Sequence, residues 1–192
     1  MKIIITGVAG FIGFSLAHKL LEQNHRVVGI DNLDDYYSVN YKKKRLLKLK
    51  KFKNFFLIKK DINKVKKIDF KNQKIDLIFH LAAQAGVRYS FIKPKKYIET
   101  NIFGFLNIID LAKELCVKKM LYASSSSVYG DSKKFPLKET EELKPKNIYA
   151  ISKKLNEKNA ELYSNLDNLN LVGLRFFTVF GEWGRPDMFM MK

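Results

Sequence analysis

Two rhythms of apolar and polar residues take turns along the chain. Short apolar stretches occur at Ile3–Ile5, Arg26–Ile30, Phe55–Lys59, Ile75–Phe79, Val117–Ala123 and Leu169–Phe177. Between them lie longer stretches that read as amphipathic helices: one after Gly13, one reaching about Lys51, one from about Pro94 to Leu115 and one from Tyr149 towards Asn165. The first rhythm suits a strand buried on both faces, the second a helix with one buried side. Strand and helix in alternation predict a doubly wound α/β fold, a parallel sheet of at least six strands with helices on both faces. No internal repeat or linker interrupts the pattern, so residues 1–192 read as one domain, long enough to bury one sizeable core.

The first strand breaks at a glycine turn, Thr6-Gly7-Val8-Ala9-Gly10-Phe11-Ile12-Gly13. In such a turn Gly7 permits the sharp bend, Gly10 leaves the backbone open to a pyrophosphate, and Gly13 lets the new helix lie against the strand. The N–H groups and positive end of that helix then face the phosphates. The second strand ends in Asp31, where a carboxylate meets the hydroxyls of an adenosine ribose and repels a 2′-phosphate; NAD is therefore expected rather than NADP. Asp31 also suits the start of a turn with Asn32. Asp61-Ile62, past the third strand, offers an acceptor to an adenine amino group or a helix cap.

The carboxyl ends of the later strands carry the remaining candidates, because an open parallel sheet binds its ligands there. His80 reads as a structural histidine, and Leu81, Ala82 and Ala83 as small-residue backbone close to a cofactor. Asn101 is placed to bridge backbone or solvent within the crevice. The fifth strand runs into Ser124-Ser125-Ser126-Ser127-Val128-Tyr129-Gly130, which is either a site rich in hydroxyls or a serine turn. Tyr149 and Lys153 stand four residues apart on one helical face, where an ammonium beside a phenol is expected to lower the phenol's pKa and make a base of it. No His, Cys or carboxylate stands at metal-ligand spacing, so no metal is expected.

Composition alters this picture little. The chain carries 36 Lys and Arg against 19 Asp and Glu, a formal charge of +17, but only five residues are arginine and the lysines are scattered. Nucleic-acid binding is therefore not expected. The densest cluster, Lys42-Lys43-Lys44-Arg45 with Lys48, Lys50 and Lys51, reads as a solvated helix face. The apolar run near the amino terminus holds three glycines and no cleavage site, and no apolar segment is long enough to insert in a membrane. The single cysteine, Cys116, falls in an amphipathic helical pattern and suits a reducing cytoplasm.

The glycine turn, the serine-rich turn before Val128-Tyr129-Gly130, and Tyr149 with Lys153 together resemble the extended short-chain dehydrogenase/reductase family of nucleotide-sugar epimerases and dehydratases, which has a Rossmann fold. The strings Asp31-Asn32-Leu33-Asp34-Asp35-Tyr36-Tyr37, Gly86-Val87-Arg88-Tyr89-Ser90 and Gly184-Arg185-Pro186-Asp187-Met188 resemble its UDP-glucuronate 4-epimerase branch. The resemblance implies that Tyr149 is the catalytic base, Lys153 its partner and a ribose ligand, and Ser125 the hydroxyl on the reacting sugar oxygen. It also implies that Ser126, Ser127 and Thr178 line the hexose and that Arg88 and Arg185 take a carboxylate or diphosphate. The implied reaction is NAD-dependent 4-epimerisation of a nucleotide sugar, UDP-glucuronate to UDP-galacturonate, through a 4-keto intermediate in a homodimer. The rivals are a 4,6-dehydratase, a UDP-glucuronate decarboxylase and a non-catalytic NAD-binding fragment. Dehydratases and decarboxylases place acidic residues in the turn where this chain has only serine, which favours epimerisation. Phe180 stands where relatives usually have tyrosine, and relatives continue past Met188 into a region that holds the uridine nucleotide.

Overall fold

A computed structural model describes residues 1–71, 73–132 and 135–186. Six strands form one parallel sheet in the order β3-β2-β1-β4-β5-β6, with β1 Lys2–Thr6, β2 Arg26–Ile30, β3 Phe55–Ile58, β4 Leu77–His80, β5 Lys119–Ser125 and β6 Asn170–Phe176. The order reverses between β1 and β4, which leaves a crevice at the carboxyl ends of these two strands. The predicted doubly wound α/β architecture is the one observed.

Side chains leave a strand on alternate faces, and β1 supplies both cores. Ile3 and Ile5 pack with Phe14, Ala17, Leu21, Val27, Leu46 and Leu49 on one face. Ile4 packs with Val28, Ile78, Phe105, Ile108 and Met120 on the other. Helices α1 (Phe11–Glu22) and α2 (Val39–Leu49) cover the first face. The second is covered by α5 (Gly104–Glu114) and by α6 (Ile148–Asp167), which contributes Ala160.

Three expectations are corrected. The fifth strand runs two residues further than its apolar run, because Ser124 and Ser125 still pair in register with Arg175 and Phe176 of β6. The expected helix from Pro94 is not regular: α4 (Pro94–Tyr97) passes through a π-helical turn, Ile98–Phe103, before α5 begins, and a shorter helix α3 (Val87–Ile92) precedes it. Cys116 lies beyond α5, exposed and with a positive φ of 55°, in a turn where its neighbours' helical periodicity no longer applies.

The basic cluster, expected as a solvated helix face, is solvated only in part. Lys43, Lys44, Lys48, Lys50 and Lys51 are exposed, but Lys42 and Arg45 are buried and Leu47 is not. Helical geometry turns positions 42, 45, 46 and 49 to the same side, so the core claims two cations along with two leucines.

Candidate active site

The crevice holds a cavity of about 780 Å³. Every residue assigned from the sequence to cofactor or substrate lines it except Asn101. One wall is the glycine turn. Gly7 has φ +70°, and a Cβ there would sit 2.8 Å from the Ala82 nitrogen; a Cβ on Gly13 would sit 2.2 Å from the Gly7 carbonyl oxygen. The turn and the loop after β4 thus close on each other through backbone alone. Helix α1 opens on Gly10 without a side-chain cap and without an acidic residue in its first turn. Its leading N–H groups and its dipole are left for an anion in the cavity.

Asp31 and Asp61 both hold local backbone, as the turn and cap readings have it, and both line the cavity. Asp31 accepts the N–H of Ala9 through Oδ2 at 2.9 Å and that of Leu33 through Oδ1 at 2.8 Å, so it pins the glycine turn and forms a local turn while lining the cavity. Asp61 caps the short turn that begins at Ile62 by accepting from Asn63 N–H, takes a second bond from Asn32 at 3.1 Å, and also lines the cavity.

Thr6 and His80 support the floor. The Thr6 hydroxyl accepts the N–H groups of Leu81 and Ala82 at 3.1 and 3.0 Å, which fills its lone pairs. Its proton therefore goes to His80 Nδ1, 2.9 Å away, and fixes the histidine as the Nε2–H tautomer. Burial and the nearby Lys153 ammonium push the His80 pKa down to about 3, so this histidine is neutral and structural, as expected.

Asn101 bridges backbone as expected, but its place among the cofactor-binding residues is corrected. Its amide lies behind the cavity wall and is fully engaged: Oδ1 accepts from Gln84 N–H at 2.7 Å, and Nδ2 donates to the Gln84 carbonyl and to Ser152 Oγ. It shapes the loop after β4 without facing the cavity, and Thr100 stands at the surface instead. Tyr97, which sequence reasoning missed, does similar work by donating from its hydroxyl towards the carbonyls of Ala85 and Gly86 at 2.8 and 2.5 Å. Nothing in the linear pattern sets Tyr97 apart from any core aromatic residue.

Ser125, Tyr149 and Lys153 meet where β5 ends and α6 starts. Asn147 caps α6 by accepting from Ala150 N–H, which places Tyr149 in the first turn and Lys153 one turn on. Ser125 accepts both the N–H and the hydroxyl of Ser127, at 3.2 and 2.8 Å, and its own proton remains to be donated, here to Tyr149. Lys153 is buried, donates to the Ala123 carbonyl at 2.8 Å and stands 5.9 Å from the centre of the Tyr149 ring.

The expected depression of the Tyr149 pKa by Lys153 is overturned. Burial raises the phenol above its ordinary value, and the opposing influences are the Ser125 hydrogen bond and the Arg185 charge. Burial also lowers the Lys153 ammonium to about 8. Its Nζ is turned to a strand carbonyl, and both groups lie where charge is poorly solvated. Arg185 packs over the Tyr36 ring at 5.4 Å, and Arg88, Ser126, Ser127 and Thr178 line the same cavity. Asp187 and Met188 lie outside the described residues. Among those residues no group of three or more His, Cys, Asp or Glu could hold a metal ion, and no helix is long and apolar enough to cross a membrane.

A Rossmann sheet with a glycine turn at its switch point, and Ser, Tyr and Lys converging beside it, defines a dinucleotide-binding domain of the short-chain dehydrogenase/reductase class. Residues 3–192 match the NAD dependent epimerase/dehydratase family, and the chain belongs to it. It is 47% identical to protein CapI of Staphylococcus aureus and 40% identical to a probable UDP-glucuronate 4-epimerase of Rhizobium meliloti, aligned over the whole of this chain and over 58% and 57% of those proteins. A crystal structure of UDP-glucuronic acid 4-epimerase from Bacillus cereus with UDP-glucuronic acid and NAD superposes with a TM-score of 0.93 at 32% identity, covering all of this chain and 61% of that one. The chain thus spans about three fifths of the length of these relatives.

Proposed function

We propose that residues 1–192 form the NAD-binding part of a UDP-glucuronate 4-epimerase. The observation that carries this reading is the meeting of Ser125, Tyr149 and Lys153 in one cavity with the glycine turn, with two arginines lining the same cavity and only serine at positions 125–127. The turn fits a dinucleotide: the uncapped start of α1 suits the pyrophosphate, Asp31 the adenosine ribose and Lys153 the nicotinamide ribose. When bound, NAD supplies a hydride acceptor and a positive charge near the phenol. Tyr149 takes the proton of the sugar 4-hydroxyl and later returns it to the same oxygen, now on an inverted carbon, while Ser125 donates to that oxygen. Arg185 and Arg88 grip the carboxylate or the diphosphate, and Ser126, Ser127 and Thr178 hold the hexose. A turn without a carboxylate lacks the added acid and base that dehydration needs.

The cytoplasm suits this chemistry, and the partner is a nucleotide sugar, with a second copy of the chain across α6. Isothermal titration with NAD tests the cofactor reading: binding to the chain is expected, and no heat at millimolar NAD would sink it. Incubation of the complete protein with UDP-glucuronate tests the reaction: UDP-galacturonate is expected, and UDP-xylose would identify a decarboxylase.

A further inference from the structure

Arg45 has no exposed surface, yet no carboxylate pairs with it among the described residues. Its Nη1 donates to the Ala9 carbonyl at 2.8 Å and to the Tyr37 hydroxyl at 2.6 Å. Its Nη2 donates to the carbonyls of Trp183 and Gly184, the latter at 3.3 Å, and Nε has no partner. Burying a guanidinium is costly, and an apolar side chain of similar volume usually serves stability as well. What an apolar residue cannot do is join two loops that are more than a hundred residues apart in sequence.

Both loops touch the cavity. Ala9 precedes Gly10 in the glycine turn, and its N–H is held by Asp31. Trp183 and Gly184 directly precede Arg185. Trp183 sits at φ +65°, a backbone region that bulky residues rarely adopt, so neighbours must hold it there. It packs on Phe14 and Tyr41 with ring centres 5.7 and 5.5 Å apart, under the Lys48 ammonium.

We infer that Arg45 is a positioning residue: it fastens the Trp183–Gly184 backbone to the glycine turn, so that cofactor binding at the turn and the placing of Arg185 at the substrate end are linked. The inference rests on the NAD reading of the cavity. Linkage is reciprocal, so NAD should tighten the Trp183 loop, and loosening that loop should weaken NAD.

Trp183 is the only tryptophan of the chain, which makes acrylamide quenching of its fluorescence a direct readout of the loop. Saturating NAD is expected to lower the Stern–Volmer constant of the parent by about twofold or more. Arg45→Lys keeps the charge but cannot reach both loops, and Arg45→Met keeps only the volume. Both are expected to raise the constant, to abolish its response to NAD, and to weaken NAD by about fivefold in calorimetry. A purely structural role would lower the unfolding temperature and leave the NAD response of Trp183 intact, which would overturn the inference. Parent protein that binds NAD with no change in quenching would overturn it too, and decides the matter even if both variants fail to fold. Absence of NAD binding to the parent would instead remove the cofactor reading, and the link with it.

Discussion

The Lys153 ammonium is buried, and its hydrogen bond runs to a strand carbonyl rather than to a carboxylate. Such a group destabilises the unliganded fold and is useful only when a ligand meets it. Lys153→Met is therefore expected to raise the unfolding temperature by about 2–4 °C, the equivalent of about 1 kcal/mol in a chain of this size. The same variant should weaken NAD about tenfold by removing a charged hydrogen-bond donor. Calorimetry and thermal unfolding on one sample check both, and a variant that binds NAD like the parent would take Lys153 out of the cofactor site. His80 gives a pH test. Its folded pKa of about 3 lies below the ordinary 6.5, so only the unfolded chain takes up a proton between these values. The stability at stake is fully present above the ordinary value and is lost as pH falls towards the folded one, at up to about 1.4 kcal/mol per pH unit. His80→Asn keeps an acceptor for the Thr6 hydroxyl and removes the titration. Urea midpoints measured from about pH 7 to pH 5 should fall less steeply for the variant, and equal slopes would place the acid sensitivity elsewhere. The four-residue spacing of Tyr149 and Lys153 was legible in sequence, but the direction of the phenol's shift was not. Spacing says which groups are near each other, whereas desolvation depends on everything packed around them.

Within the strand–turn–helix unit that opens the fold, the surroundings of the glycines point to a division of work between packing and the proposed cofactor. A Cβ on Gly13 would lie 2.2 Å from the Gly7 carbonyl oxygen and 3.1 Å from Val8 Cα, all rigid backbone. A Cβ on Gly10, which lines the cavity, would approach only the Gly7 carbonyl, its oxygen at 3.0 Å, and would otherwise enter open space. Gly13→Ala should therefore cost about 3 kcal/mol or more in urea unfolding. Gly10→Ala should cost less than about 1 kcal/mol yet weaken NAD by a factor of ten or more, since the methyl takes the space of a pyrophosphate. Equal stability losses in the two variants would deny that division. The turn was readable because glycine requirements are local, and the strands because a sheet covered on both faces needs unbroken apolar runs. Elements whose form depends on distant partners were not. Ser124 and Ser125 join β5 because β6 continues beside them, Asn101 turns inward in a π-helical turn towards Gln84 and Ser152, and Arg45 leaves its basic neighbours for carbonyls of two remote loops.

Over the molecule as a whole, the charge of +17 and an unpartnered apolar row pull in opposite directions. Ile151, Leu155, Leu162 and Leu166 recur at helical spacing along α6 and are 50%, 39%, 61% and 78% exposed, while Ser152, Lys153, Asn156 and Ala160 face inward. Ile98 and Phe103 are exposed on the π-helical turn, which packs beside α6. Apolar residues aligned this way demand cover, and a second copy turned about a two-fold axis presents the same row to the first. Lysines scattered over each copy repel the other through solvent, and salt screens that repulsion within about 10 Å at moderate ionic strength. A homodimer that tightens as salt rises is the expected outcome in analytical ultracentrifugation, the reverse of what a basic surface bound to nucleic acid would give. Ile151→Glu combined with Leu162→Glu places like charges across the axis and should leave a monomer. Its NAD affinity should match the parent's, because both side chains point away from the cavity. A parent chain that stays monomeric at tens of micromolar in high salt, or a double variant that still dimerises, would show that this face is covered in some other way.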